Sequence, residues 1–121
     1  MKITHRKENP QLVKLIQDLK AMSREHKAPI WRTVAEKLER SDRLWSEVNV
    51  SRIARFAKEG EMLVVPGKLL GSGSISFPVT VAVFKTSEQA RKKIAAAGGR
   101  TVTIGELVSS NPSGAGVRIM G

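Results

Sequence analysis

Apolar residues at positions 12, 15, 16, 19 and 22 recur every three or four residues, the spacing that lines one face of a helix. Asn9 is a capping residue and Pro10 suits the first helical position, so "NPQLVKLIQDLKAMSREHKAP" predicts a long amphipathic helix. Pro29 closes it and opens a second, with Trp31, Val34, Ala35 and Leu38 on the inner face. "ERSDRLWSE" reads as a charged connector. "NVSRIARFAKEG" predicts a short helix with Ile53, Ala54, Phe56 and Ala57 as its apolar residues and Gly60 as its stop.

After Gly60 the period changes. "EMLVVPG" predicts a short strand ending in a Pro-Gly turn of type II. "LLGSGSISFP" reads as a glycine- and serine-rich loop, and "VTVAVF" as a β-branched strand. "TSEQARKKIAAAGG" is a helix capped by Thr86 or Ser87 and stopped by Gly98-Gly99. "RTVTI" is a third strand. Thr103 and Glu106 have capping-box spacing and open a last short helix that Asn111-Pro112 ends.

The expectation is an α+β fold forming one compact domain. It has a basic arm over 1–9, a helical region over 10–60, and a mixed region over 61–121 ending in a glycine-rich tail. Leu12, Leu15, Leu19, Val34, Ile53, Val64, Val81, Val83 and Ile94 are the expected core. The arm and the tail bury little apolar surface and are expected to be mobile in the free protein.

Charge changes the picture. The 121 residues carry 21 lysines and arginines against 11 acids, a net of +10. Residues 1–60 hold 14 bases and 8 acids, and residues 61–121 hold 7 and 3, so the excess is not confined to a tail. A small chain this basic points to a polyanionic partner, with nucleic acid first. A membrane is weaker: no helix is basic on one face and bulky-aromatic on the other, and no apolar run nears the roughly 20 residues of a span. The polar start lacks a signal peptide's apolar stretch, which points to a cytoplasmic protein. With no cysteine, thiolate metal sites, disulfides and a cysteine nucleophile are excluded.

"VPGKLLGSG", residues 65–73, raises the question of phosphate binding. A Walker loop needs its lysine after the second glycine and a helix at that point. Here Lys68 follows the first glycine, and Gly71 and Gly73 lead into serines and a strand. A dinucleotide fingerprint fails as well, because Ser76 stands where the third glycine belongs. A turn joining strands is the plainer reading, and a loop lying against nucleic-acid phosphates is the other. His5 and His26 lie among bases with no third ligand at metal spacing. The acids alternate with bases, as in Glu36-Lys37 and Glu39-Arg40, which is a solvated-face pattern and not an acid/base couple. Trp31 belongs to an apolar face. Trp45, in the charged connector, is open to burial or to base stacking.

Three stretches carry a resemblance. "EVNVSRIARFAKEGEMLVVPGKLLGSG", "PVTVAVFKTSEQARKKIAAAGG" and "NPSGAGVRIMG" resemble the archaeal and eukaryotic large-subunit ribosomal protein family called L-eighteen-e. The second half is also similar to the bacterial L-fifteen family. "NPQLVKLIQDLK" and "IWRTVAEKLER" resemble the family's first two helices, so the likeness runs over essentially the whole chain. Without the long basic extensions of eukaryotic members, the chain resembles archaeal ones. It departs from the pattern at "ERSDRLWSE", where related sequences often carry a run of arginines.

The resemblance implies helices packed on an irregular arrangement of strands and helices. It implies a structural role in the large ribosomal subunit, with no active site, cofactor, metal or small-molecule substrate. The implied partners are large-subunit ribosomal RNA and neighbouring ribosomal proteins, and the mechanism is phosphate neutralisation. The candidate RNA-binding residues are Lys2, Arg6 and Lys7 in the arm, and Arg32, Arg40 and Arg43 around the second helix. Arg52, Arg55, Lys68, Gly71, Ser72, Gly73, Lys85, Arg91, Lys92 and Arg118 complete the set. A free RNA-binding module without a ribosome is the alternative class, and a small nucleotide-using enzyme is a more distant one.

Overall fold

The computed structural model describes residues 9–40 and 44–121. Helices α1 (Pro10–His26) and α2 (Pro29–Glu39) come first. Strand β1 (Ser46–Asn49) and helix α3 (Val50–Phe56) follow, then β2 (Met62–Leu70), β3 (Thr80–Thr86), α4 (Glu88–Ala96), β4 (Arg100–Thr103), α5 (Ile104–Ser110) and β5 (Val117–Ile119). The helix starts follow the local chemistry. The Asn9 side chain accepts from the amides of Gln11 and Leu12, Ser87 accepts from Ala90, and Thr103 and Glu106 form a reciprocal capping box. The Thr103 amide donates to the Glu106 carboxylate and holds its pKa below the ordinary value.

The strands form one parallel five-stranded sheet of order β1-β2-β3-β4, with β5 also on β2. The fold is of the expected α+β class, but two strands join the three that were predicted. β5 pairs with Met62–Val64 and β1 with Gly67–Leu70. Together they complete one edge of β2, while β3 covers the other.

The expected turn at Pro66-Gly67 does not form. β2 runs through it to Leu70, with a register shift against β3 between Val65 and Lys68. Proline cannot donate to a ladder, and a bulge is the one interior place where a strand tolerates it. Gly67 is needed for close approach, since a Cβ there would overlap the Ser46 carbonyl. Nor does the tail hang free. Its strand pairs with β2, the Met120 amide donates to the Val64 carbonyl at 2.9 Å, and the Met120 side chain is buried.

Both faces of the sheet are covered. α1, α2 and α5 bury Leu12, Ile16, Leu19, Trp31, Val34 and Leu38 against Val64 and Ala82 on one side. α3 and α4 bury Ile53 and Ile94 against Leu63, Val65, Val81 and Val83 on the other. Double coverage explains why "LVV" and "VAV" run apolar without alternation. Of the expected core residues, Leu15 alone is only partly buried. Trp31 is fully buried and donates from Nε1 to the Pro112 carbonyl at 2.7 Å. Trp45 is 6% exposed, donates to the Leu38 carbonyl at 3.3 Å and stands edge-on to Phe84. Its burial takes away the stacking role left open for it.

Gly67→Ala is expected to push β1 off β2 and to destabilise the protein by roughly 1–3 kcal/mol. Urea unfolding at equilibrium measures this, and an unchanged midpoint would count against the close approach of β1.

Candidate nucleic-acid interface

The glycine loop lies where β1 and β2 end and α3 and α4 begin. The Asn49 side-chain carbonyl accepts from the Ser72 amide at 3.2 Å, and the Ser51 amide donates to the Ser72 carbonyl at 3.0 Å. Lys93, one turn from the end of α4, reaches back with its ammonium to the carbonyls of Gly71, at 2.7 Å, and Gly73. A Cβ at Gly71 would meet Gln89, and one at Gly73 would overlap Ser51. The glycines thus serve close packing on two helices. Gly71 is buried, while Ser72 and Gly73 face solvent.

Lys68 and Lys85 sit side by side on β2 and β3, with Glu47 across from Lys68 on β1. Two like charges on neighbouring strands repel, which an anion between them would relieve. Both line a small hollow of about 210 Å³ with Leu70, Thr86 and Ser87. The Lys85 ammonium also stands 6.0 Å from the Trp45 ring centroid.

α3 presents Arg52, Arg55 and Phe56 to solvent, positions three and four apart and so on one exposed stripe. The Arg55 guanidinium lies 5.5 Å from the Phe56 ring centroid. Arg118, on β5, is engaged within the protein: it forms an ion pair with Glu61 at 3.0 Å and donates to the Phe56 carbonyl. On α4, Lys92 is exposed and Arg91 pairs with Glu88, which lowers the Glu88 pKa and raises that of Arg91. Arg32 pairs with Glu36 at 3.2 Å on α2, and Arg40 lies exposed just past that helix. Lys2, Arg6, Lys7 and Arg43 fall outside the described residues.

The candidate cations among the described residues therefore do not form one patch. Arg52, Arg55 and Arg118 gather at α3, and Lys68 and Lys85 on the sheet, while Arg32 and Arg40 belong to α2 in the opposite layer. Sequence reasoning missed Lys93 and the exposure of Phe56. The helical period of α3 could not have given the second, because Phe56 lies three residues from Ile53 and four from Arg52, and both spacings share a helix face.

A groove of about 830 Å³ between α1 and α5 has the opposite character. Leu15, Leu19, Met22 and Val108 form its apolar part, Asp18, Glu25 and Glu106 its charged part, and among the described residues no lysine or arginine lines it. Phosphate would be repelled there. Among the described residues, no three His, Cys, Asp or Glu residues are placed to hold a metal ion, and no helix is long and apolar enough to cross a membrane.

The family model described as ribosomal protein 60S L18 and 50S L18e matches residues 1–121. The large ribosomal subunit protein eL18 of Archaeoglobus fulgidus is 53% identical over 115 residues, covering 95% of this chain and 98% of that one. The eL18 proteins of Methanococcus maripaludis and Methanospirillum hungatei are 51% and 48% identical, covering 93% and 94% of this chain and the same shares of their own.

Lys93→Met keeps the aliphatic stem and removes both bonds to the loop. It is expected to destabilise the protein by about 1–3 kcal/mol and to speed amide exchange at Ser72 and Gly73 while leaving β4 protected. Unchanged exchange in the loop would mean that Lys93 does not hold it.

Proposed function

The chain belongs to the family of ribosomal protein 60S L18 and 50S L18e, and on that premise we propose that it is a structural constituent of the large ribosomal subunit that binds ribosomal RNA in the cytoplasm. The observation that carries this reading is the match along the whole chain, at about half identity to proteins named for that subunit. The distribution of charge supports the RNA half. Arg52, Arg55, Lys92 and the Lys68–Lys85 pair meet phosphates, and their counterions are released on binding. Arg118 and Lys93 act one step back: Arg118 fixes the end of α3, the helix from which Arg52 and Arg55 project, and Lys93 fixes the glycine loop. Ser72 and Gly73 lie exposed in that loop.

The other half concerns protein neighbours. The acidic, apolar groove between α1 and α5 suits a basic segment of an adjoining ribosomal protein, whose lysines or arginines would match Glu25 and Glu106. No catalytic step is assigned. The glycines that could have suggested a nucleotide cradle are instead packed on α3 and α4.

Sedimentation of a lysate through a sucrose gradient, with the protein followed by mass spectrometry across salt washes, tests the reading. Near-stoichiometric presence in the large subunit, lost only at high salt, is expected. Protein remaining at the top of the gradient at low salt would sink the ribosomal role and leave a free RNA-binding module.

A further inference from the structure

Phe56 is 54% exposed, an unusual position for the largest apolar side chain of α3. A single exposed apolar residue means little by itself. Its surroundings give it meaning. The Arg55 guanidinium lies over one face of the ring and leaves the other for a partner, Arg52 stands one turn earlier on the same stripe, and Arg118 grips the Phe56 carbonyl from β5. Next to the ring is a hollow of about 220 Å³ lined by Arg52, Phe56, Arg118, Ile119, Met120 and Gly121. Among the described residues, the one carboxylate bonded to this group, Glu61, is taken up by Arg118 and the Lys58 amide. Arg52 and Arg55 have no ion pair among the described residues.

We propose that this patch is a nucleotide site, where an unpaired RNA base lies against the Phe56 ring and its flanking phosphates rest on Arg52 and Arg55. The proposal rests on the RNA-binding reading above and adds a base-contacting residue to it. Charge decides the kind of occupant. An apolar knob from a protein would cover the ring but leave two guanidinium groups desolvated without an anion. A nucleotide brings a flat π-face and a negative charge together, and stacking on an aromatic ring accepts any base. The base must be unpaired, because a duplex keeps its π-faces stacked inside and single-stranded loops and bulges expose them. Arg118 is a positioning residue here: its bonds to Glu61 and to the last carbonyl of α3 fix where the ring projects.

Filter binding of the full chain to deproteinised large-subunit ribosomal RNA over a range of salt tests this. Phe56→Ala is expected to weaken binding about tenfold with the salt slope unchanged, and Phe56→Trp to restore it. Arg52→Gln is expected to lower the slope by about one. Since Phe56 is exposed, thermal unfolding of the variants should match the wild type. Wild-type affinity in Phe56→Ala overturns the site while leaving RNA binding intact, as does a loss that tryptophan fails to restore. If the wild-type chain itself does not bind the RNA, the broader reading falls and this site with it.

Discussion

Everything in this molecule depends on the hydrogen-bonding demand of β2. A nine-residue central strand presents two rows of backbone groups, and each row must be satisfied. β3 takes one row. No single segment takes the other. It is divided between β5, beside the first half of β2, and β1, beside the second. The division falls at Pro66-Gly67, where proline has no amide to offer and glycine has no side chain to hold a neighbour away. One dipeptide therefore brings the connector after α2 and the end of the chain onto the same strand.

The same sheet sets the charge distribution. Because both of its faces are covered by helices, charged groups are left to the helix surfaces and strand ends. There the acids are largely held by internal partners. Glu39 meets Lys20 at 2.7 Å, Glu61 meets Arg118, Glu88 meets Arg91, Glu36 meets Arg32, and Glu106 caps α5. With most acids matched locally, the +10 excess is expressed by cations such as Arg52, Arg55 and Lys92. Exposed pairs of this kind add little stability, but they decide which cations remain for an anion from outside.

Much of the fold was legible in the sequence. α1 announced itself through Asn9, Pro10 and five apolar residues at helical spacing, and α5 through the Thr103–Glu106 box. The core positions followed from those periods. β1 and β5 were not legible, since "SEVN" and "VRI" are too short to show a period and gain their strand character only from β2. Pro66-Gly67 misled because the same dipeptide makes a turn when isolated and a bulge when flanked by ladder partners. At the candidate interface, composition identified the cations but not their employment. Arg118 and Lys93 look alike in sequence to Arg52, yet 57 residues separate Arg118 from Glu61 and 22 separate Lys93 from Gly71. Separations of that length carry no local pattern.

Trp31 and Trp45 are the only tryptophans, and the chain has no tyrosine. Both indoles lie in the core between the sheet and α1, α2 and α5. Intrinsic fluorescence therefore views one side of the sheet. The layer of α3 and α4 contains no near-ultraviolet emitter except phenylalanine, and its detachment would leave the emission spectrum almost unchanged. A fluorescence melting curve of this protein thus follows half of a two-sided structure, and the half it does not see is the one that carries Arg52, Arg55 and Phe56.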